Sequence, residues 1–265
     1  MYAMTTAAAG VLLDSPALVI AAAAVGIVWG WIVAAIAFLP FALWVLWRAP
    51  LHAAWSTAAV AAAATLAPLV LLDRLFYGTW TVSLWNFVRY NVVGGGDSAL
   101  YGIEGPLFYL VNGALNLNGA LLAALAAPLV LASAAAFSRL LAPGAAPLPA
   151  TPSTGLCVAI APAYVWLAAI SALPHKEERF LYVVYPVLAL AAAAALATVP
   201  WLVAALCRHV ARVPRSVGLW AGRLVLGGQL LLVAVLSLSR CGRSGCCGDM
   251  LFACSGIVYF VHMGV

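Results

Sequence analysis

Charge is what this chain has least of. Charged residues make up 7% of its 265 positions, against about 25% in ordinary soluble domains. That scarcity excludes a water-soluble globule, which needs more polar surface than this to cover its core. Acids are the rarer sign: 7 Asp+Glu stand against 12 Lys+Arg, a formal charge of +5. In a membrane protein such an excess belongs to cytoplasmic loops, so it gives no reason to expect nucleic acid as a partner. No internal repeat is visible, which removes the sequence signature of a two-halved transporter. The start, Met1-Tyr2-Ala3-Met4, has no basic segment of the kind that opens a signal peptide. The cysteines lack the paired two-residue spacing of a zinc ribbon. Cys157 and Cys207 read as small apolar residues, while Cys241, Cys246, Cys247 and Cys254 fall in an atypical Cys/Gly-rich tail over 241–265. Neither a metal nor another cofactor is implied.

What fills the chain instead is apolar sequence, 67% of it. Stretches near 20 apolar residues are read as membrane spans. Ala7 to Trp47 is apolar apart from Asp14 and long enough for two passes, with Gly26, Gly30 and Pro40 predicting irregular or re-entrant helix. Further spans are expected at Trp55–Leu72, Gly119–Leu141, Leu156–Leu173, Phe180–Trp201 and Leu219–Leu238. The fold class is therefore all-α, a polytopic transmembrane bundle of about six to seven spans. Asp73 to Pro106 reads as a polar loop, with Gly94-Gly95-Gly96 at its flexible point, and Pro143 to Pro152 as a linker. Asp14, before Ser15-Pro16, reads as a structural turn between helices.

Charge patterning gives an orientation. The loops at Arg48, Arg139 and Arg208/Arg212/Arg215 are purely basic, whereas 73–106 and 175–179 hold Asp73, Asp97, Glu104, Glu177 and Glu178. The two kinds alternate along the expected spans. Basic loops lie in the cytosol, so the two mixed loops are expected together on the other face, where the polar chemistry of the chain collects.

His175-Lys176-Glu177-Glu178-Arg179 is the densest charge in the chain. Charged residues cost about 2.5–3.5 kcal/mol each at a helix centre, so the segment belongs at an interface or in a wet cavity. If a helix begins near Pro174, Lys176 and Arg179 share a face, as do His175 and Arg179. That face suits an anionic phosphate, with Glu177 or Glu178 orienting the arginine. The other reading open at this point is a snorkelling anchor between two spans.

The order of residues narrows the choice. Pro-His-Lys-Glu-Glu-Arg-Phe over 174–180, followed by Tyr185-Pro186, resembles the signature of the endoplasmic-reticulum mannosyltransferases that use dolichyl-phosphate mannose and have the GT-C fold. Upstream the chain reads Asp73-Arg74-Leu75-Phe76-Tyr77-Gly78, then Tyr90-Asn91-Val92-Val93-Gly94-Gly95-Gly96. It continues through Leu100-Tyr101-Gly102-Ile103-Glu104-Gly105-Pro106-Leu107-Phe108-Tyr109 to Asn112-Gly113 and Asn116-Leu117-Asn118. This is similar to the α-1,2-mannosyltransferases of N-glycan precursor assembly, in their plant and algal form. The Pro-Trp-His-Trp-Tyr of the glycosylphosphatidylinositol and α-1,6 enzymes is absent at Gly105 to Tyr109. Trp31-Ile32 stands where the family usually has Trp-Pro. The resemblance covers roughly residues 1–240, the expected membrane region.

The resemblance implies inverting transfer of mannose from dolichyl-phosphate mannose to a dolichyl-diphosphate-linked oligosaccharide, by a multi-pass protein of the endoplasmic-reticulum membrane with its active-site loops lumenal. Partners would be those two lipids and membrane lipid. His175, Lys176 and Arg179 suit the role of stabilising the leaving phosphate, with Glu177 and Glu178 beside them. Tyr101 and Glu104 lie in the family's Tyr-Gly-x-Glu segment and, with Asn112, are candidate sugar contacts. For Glu104 the alternative is an acid favoured at a helix N-terminus, and for Asn112, Asn116 and Asn118 it is helix-end capping. The general base has no candidate: the family's first lumenal loop precedes the region where this sequence begins. The expectation is a partial enzyme, inactive alone. Alternatives are a glycosylphosphatidylinositol or α-1,6 enzyme of the same family, an inactive lipid-binding fragment, or a transporter.

Overall fold

The computed structural model describes residues 1–90, 102–141 and 153–209, with isolated helical positions between 217 and 235. Among these residues there is no strand. They fall into two compact units, Met1–Leu110 with Val158–Val187 and Val111–Cys157 with Leu188–Val265. Among the described residues, four helices are long and apolar enough to cross a membrane: Leu51–Tyr77, Gly119–Leu140, Thr154–Ala172 and Tyr185–Leu206. Each carries an interior proline, Pro68, Pro128, Pro162 and Pro200 respectively. Such prolines are tolerated in spanning helices because neighbouring groups satisfy the carbonyl each one frees. The expected all-α membrane fold is therefore what the chain adopts.

In the first unit, helix α1 (Tyr2–Leu12) turns at Asp14, where φ is +54°. The Ser15 side chain accepts from Leu18 N and Pro16 occupies the first turn of α2 (Pro16–Val25), so a capping residue and a proline set that start. The chain then loosens into a π turn at Gly26–Gly30, an extended Trp31 (φ −153°, ψ 115°) and a 3₁₀ segment at Ile32–Phe38, before α3 (Leu39–Arg48). A Cβ on Gly26 would stand 2.8 Å from both Ala3 Cβ and Phe38 Cζ, so only glycine allows this close approach. The expected irregularity is present. The Arg48 Nε donates to Asp14 Oδ1 at 2.7 Å, so both ends of the hairpin lie side by side. Its limbs, Pro16–Gly30 and Ile32–Arg48, are each shorter than the four long apolar helices.

Helix α4 (Leu51–Tyr77) runs beside the hairpin and ends at Gly78, whose φ of +69° is the left-handed conformation that closes helices. The Trp29 indole donates to the Thr65 carbonyl at 3.1 Å. Thr65 lies about 21 Å along the helix from Leu51, and the bond sets the hairpin tip at that level of α4.

Asp73 was expected in a loop, yet it lies within α4 and is buried. Its Oδ2 accepts the backbone N–H and the hydroxyl of Ser83, both at 2.7 Å, at the start of α5 (Ser83–Val88). Two donors to one carboxylate oxygen compensate its burial and close the 78–82 turn. Asp73→Ala should cost about 1.5–3 kcal/mol, the range for hydrogen bonds to a charged group, read as a lower thermal midpoint in detergent. An unchanged midpoint would remove this structural role.

In the second unit, α6 (Phe108–Leu117) supplies the part from Val111 onward and meets α7 (Gly119–Leu141) at Asn118, whose φ is +52°. Asn118 is thus a junction residue, in line with the capping alternative for it. Ala120, Ala124, Ala127, Leu131 and Ala134 are buried at helical spacing along one face of α7. Small residues of this kind let helices approach closely. Phe137 meets Trp201 of α9 (Tyr185–His209) edge to face at 6.1 Å. Gly94 to Gly96, the 143–152 linker, the tail and most of the expected span at Leu219–Leu238 lie outside the described residues.

Candidate functional site

All of the site that the structure brings together belongs to the first unit. Helix α8 (Thr154–Ala172) ends just before Pro174, which disfavours helix in the residue preceding it. The chain stays irregular through Glu177, which is extended (φ −133°, ψ 146°), passes into a 3₁₀ segment at Glu178–Val183, and resumes α-helix only at Tyr185-Pro186. Proline is accommodated in a first turn, so α9 starts there rather than at Phe180 as expected. The helical face shared by Lys176 and Arg179 is accordingly absent. Lys176 turns inward, with 6% of its surface exposed, and Arg179 turns outward, with 69% of its side chain exposed.

Glu177 is the centre of the outward cluster. Its Oε1 accepts from His175 Nε2 at 2.9 Å and from Arg179 Nη2 at 2.8 Å, and Arg179 Nε pairs with Oε2. The guanidinium thus grips the carboxylate with two donors. The other nitrogen of His175, Nδ1, lies 3.2 Å from the Gly102 carbonyl. Both ring nitrogens face acceptors, and only the imidazolium offers two donors. The hydrogen bond to Glu177 is the main cause that holds the His175 pKa above its ordinary 6.5. The bonds from His175 and then Arg179 hold the Glu177 carboxyl below its ordinary 4.5. The His175–Glu177 contribution to folding is complete between those two ordinary values. It is lost as pH rises through the raised His175 value, and as pH falls through the lowered Glu177 value. Glu178 begins the 3₁₀ segment with its side chain exposed.

Lys176 does something different. Its ammonium donates to the Leu173 carbonyl at 2.6 Å and to the Glu104 carbonyl at 3.0 Å. Glu104 N–H donates in turn to the Pro174 carbonyl at 3.1 Å. With the His175–Gly102 contact, these bonds lace the Tyr-Gly-x-Glu segment to the charged loop some seventy residues later in the chain. Tyr109 completes the lacing: its phenol oxygen accepts the Glu177 N–H at 3.3 Å. Burial pushes that phenol up to about 12, so it stays neutral. The expected convergence of the two mixed-charge segments is realised here by direct hydrogen bonds. The Glu104 side chain itself is exposed. Asn112 lies in the second unit. Tyr101 and Asp97 lie outside the described residues.

Four residues at the site, Tyr109, Phe180, Trp166 and Trp31, were not among its expected members. Phe180 packs its ring against Trp31 at 4.7 Å. Trp166, fully buried, donates its indole N–H to the Phe180 carbonyl at 2.7 Å and meets Trp31 edge to face at 5.5 Å. Aromatic residues in an apolar chain carry no positional signal. The one available clue was Trp31, placed just where Gly26 and Gly30 predict a broken helix.

The pattern of the Alg9-like mannosyltransferase family matches residues 1–243. Among curated relatives, the alpha-1,2-mannosyltransferase ALG9 of Arabidopsis thaliana is 36% identical over 202 residues, 76% of this chain and 33% of that protein. The proteins of the same name from Mus musculus and Homo sapiens are each 35% identical, covering 74% of this chain and 31% of the relative. The chain thus spans about a third of the length of these relatives. No solved structure matches it.

Proposed function

This chain belongs to the Alg9-like mannosyltransferase family, and on that premise we propose that it serves the transfer of mannose from dolichyl-phosphate mannose to a dolichyl-diphosphate-linked oligosaccharide. The linkage is α-1,2 and the setting is N-glycan precursor synthesis in the endoplasmic-reticulum membrane. The relatives' printed activity supports the linkage. Residues 1–240 form the membrane region in this reading, and 241–265 a separate tail.

One observation carries the chemistry: Arg179 and His175 are fixed on a single carboxylate, Glu177, with Arg179 outward. In an inverting transfer the acceptor oxygen attacks the anomeric carbon as the bond to the phosphate oxygen breaks, and negative charge builds on the departing lipid phosphate. Preorganised cations stabilise that charge without reorganising as it develops. With His175 protonated, the Glu177 carboxylate and its two cations sum to one positive charge, matched to one negative charge on a phosphodiester. Lys176 holds the loop to the Glu104 segment. Tyr101, Glu104 and Asn112 are assigned to sugar contacts, and the segments at 78–106 and 175–179 to the lumen.

The test uses the chain in nanodiscs with dolichyl-phosphate mannose. Binding should be competed by dolichyl phosphate and should weaken as pH rises through the raised His175 value, because the site then loses its net positive charge. Glycosylation acceptors inserted beside Thr79 and His175 should be modified in microsomes, and one beside Ala49 should not. Donor binding with no pH dependence above neutrality, or modification beside Ala49 instead, would overturn the assignment.

A further inference from the structure

Phe180 lies against three residues of the charged loop, His175, Glu177 and Arg179. Its N–H donates to the Glu177 carbonyl at 3.1 Å. Its ring lies 6.2 Å from the His175 ring and 6.0 Å from the Arg179 guanidinium carbon. Trp31 packs against the same ring, and the Phe180 carbonyl accepts the indole N–H of Trp166. Phe180 is also the covalent neighbour of Arg179. Whatever fixes Phe180 therefore fixes the backbone from which the guanidinium reaches Glu177.

We infer that Trp166 is a positioning residue for the Glu177-centred cluster: its indole N–H, acting through the Phe180 carbonyl, sets where His175 and Arg179 meet the Glu177 carboxylate. The contact is at the short end for N–H···O, 2.7 Å. It joins a fully buried donor to a carbonyl in a part-buried bond, and a carbonyl shielded from water loses free energy when deprived of its donor. Removing the donor therefore drives Phe180 O to seek another partner, which rotates the 3₁₀ turn and carries Arg179 with it. Trp31, at the break in the first hairpin, backs both Trp166 and Phe180. The hairpin thereby acquires a task at the site: it is the wall against which the loop is set. The functional part of this inference rests on the donor-phosphate reading above; the positioning part does not.

The experiment replaces Trp166 with 3-benzothienylalanine, which keeps the ring and exchanges the N–H for sulfur, with Trp166→Phe alongside. Both chains are reconstituted in nanodiscs, and Arg179→Ala serves as the control for the functional reading. Two readouts are taken, the NMR titration of His175 and the affinity for dolichyl-phosphate mannose. With the helical content unchanged, the His175 midpoint should fall toward 6.5, its ordinary value, because its bond to Glu177 is loosened. Donor affinity should drop about tenfold, the scale of one buried hydrogen bond. An unmoved His175 midpoint would overturn the inference, whatever the donor does. Collapse of the whole fold with the isosteric analogue would also overturn it, since the N–H would then hold the fold and not the cluster. A lowered midpoint with donor affinity intact in these variants and in Arg179→Ala would leave the positioning role standing and sink the donor-phosphate reading.

Discussion

Arg179→Ala, made in a full-length α-1,2-mannosyltransferase carrying this region, should lower mannose transfer by about 10²–10³-fold, the loss typical of removing one preorganised donor to a developing anion. The side chain is exposed, held by two donors to Glu177, and backed by the Phe180 ring. Its position is thus paid for before any substrate arrives. Stability should change little, because exposed ion pairs contribute about 0–1 kcal/mol. Arg179→Lys should restore the charge and still transfer poorly, since an ammonium cannot reproduce the planar fork on Glu177. The measurement is elongation of the lipid-linked oligosaccharide, followed by chromatography, with a thermal midpoint for each variant. Near-normal elongation by Arg179→Ala would return the loop to the role of a membrane anchor.

Lys176→Met should have the largest effect on stability, for a reason the sequence did not show. The ammonium is buried and serves two carbonyls, those of Leu173 and Glu104. Methionine keeps much of the bulk and offers no donor. The two bonds of the ammonium are charge-assisted and part-buried, and losing both costs about 1.5–3 kcal/mol each, together roughly 3–6 kcal/mol. The expected result is a lower thermal midpoint and faster amide exchange at Gly102 to Gly105, because the Glu104 segment loses one of the bonds that tie it to the loop. Donor binding would fall with the structure and not independently of it. If Lys176→Met keeps the midpoint and loses only donor binding, then Lys176 contacts the phosphate and its inward orientation has no functional meaning.

The contrast between these two residues shows how far the sequence could be read. The charged run at 175–179, its order and its place on one membrane face with the 73–106 segment were all visible as pattern. So was the irregular hairpin, from Gly26 and Gly30. The assignment of faces was not. Placing Lys176 and Arg179 on one helical face required helix from Pro174 onward, and Pro186 is disfavoured inside such a helix; the intervening stretch is an extended residue and a 3₁₀ turn. Asp73 shows the same limit. As an acid in a polar stretch it looked like site chemistry, whereas its partner is Ser83, ten residues on, across a turn that only the folded chain closes.

The sequence by itself determined the membrane-spanning all-α character, because the cost of placing each side chain in hydrocarbon accumulates residue by residue along a span. It also determined the family, because the order Pro-His-Lys-Glu-Glu-Arg-Phe is a one-dimensional property. The tertiary structure decided which charges face outward and which are spent on backbone. That decision depends on where the carbonyls of residues 102–104 lie relative to residues 173–177. A buried ammonium is driven to whatever acceptors are within about 3 Å, and chain distance says nothing about which acceptors those are.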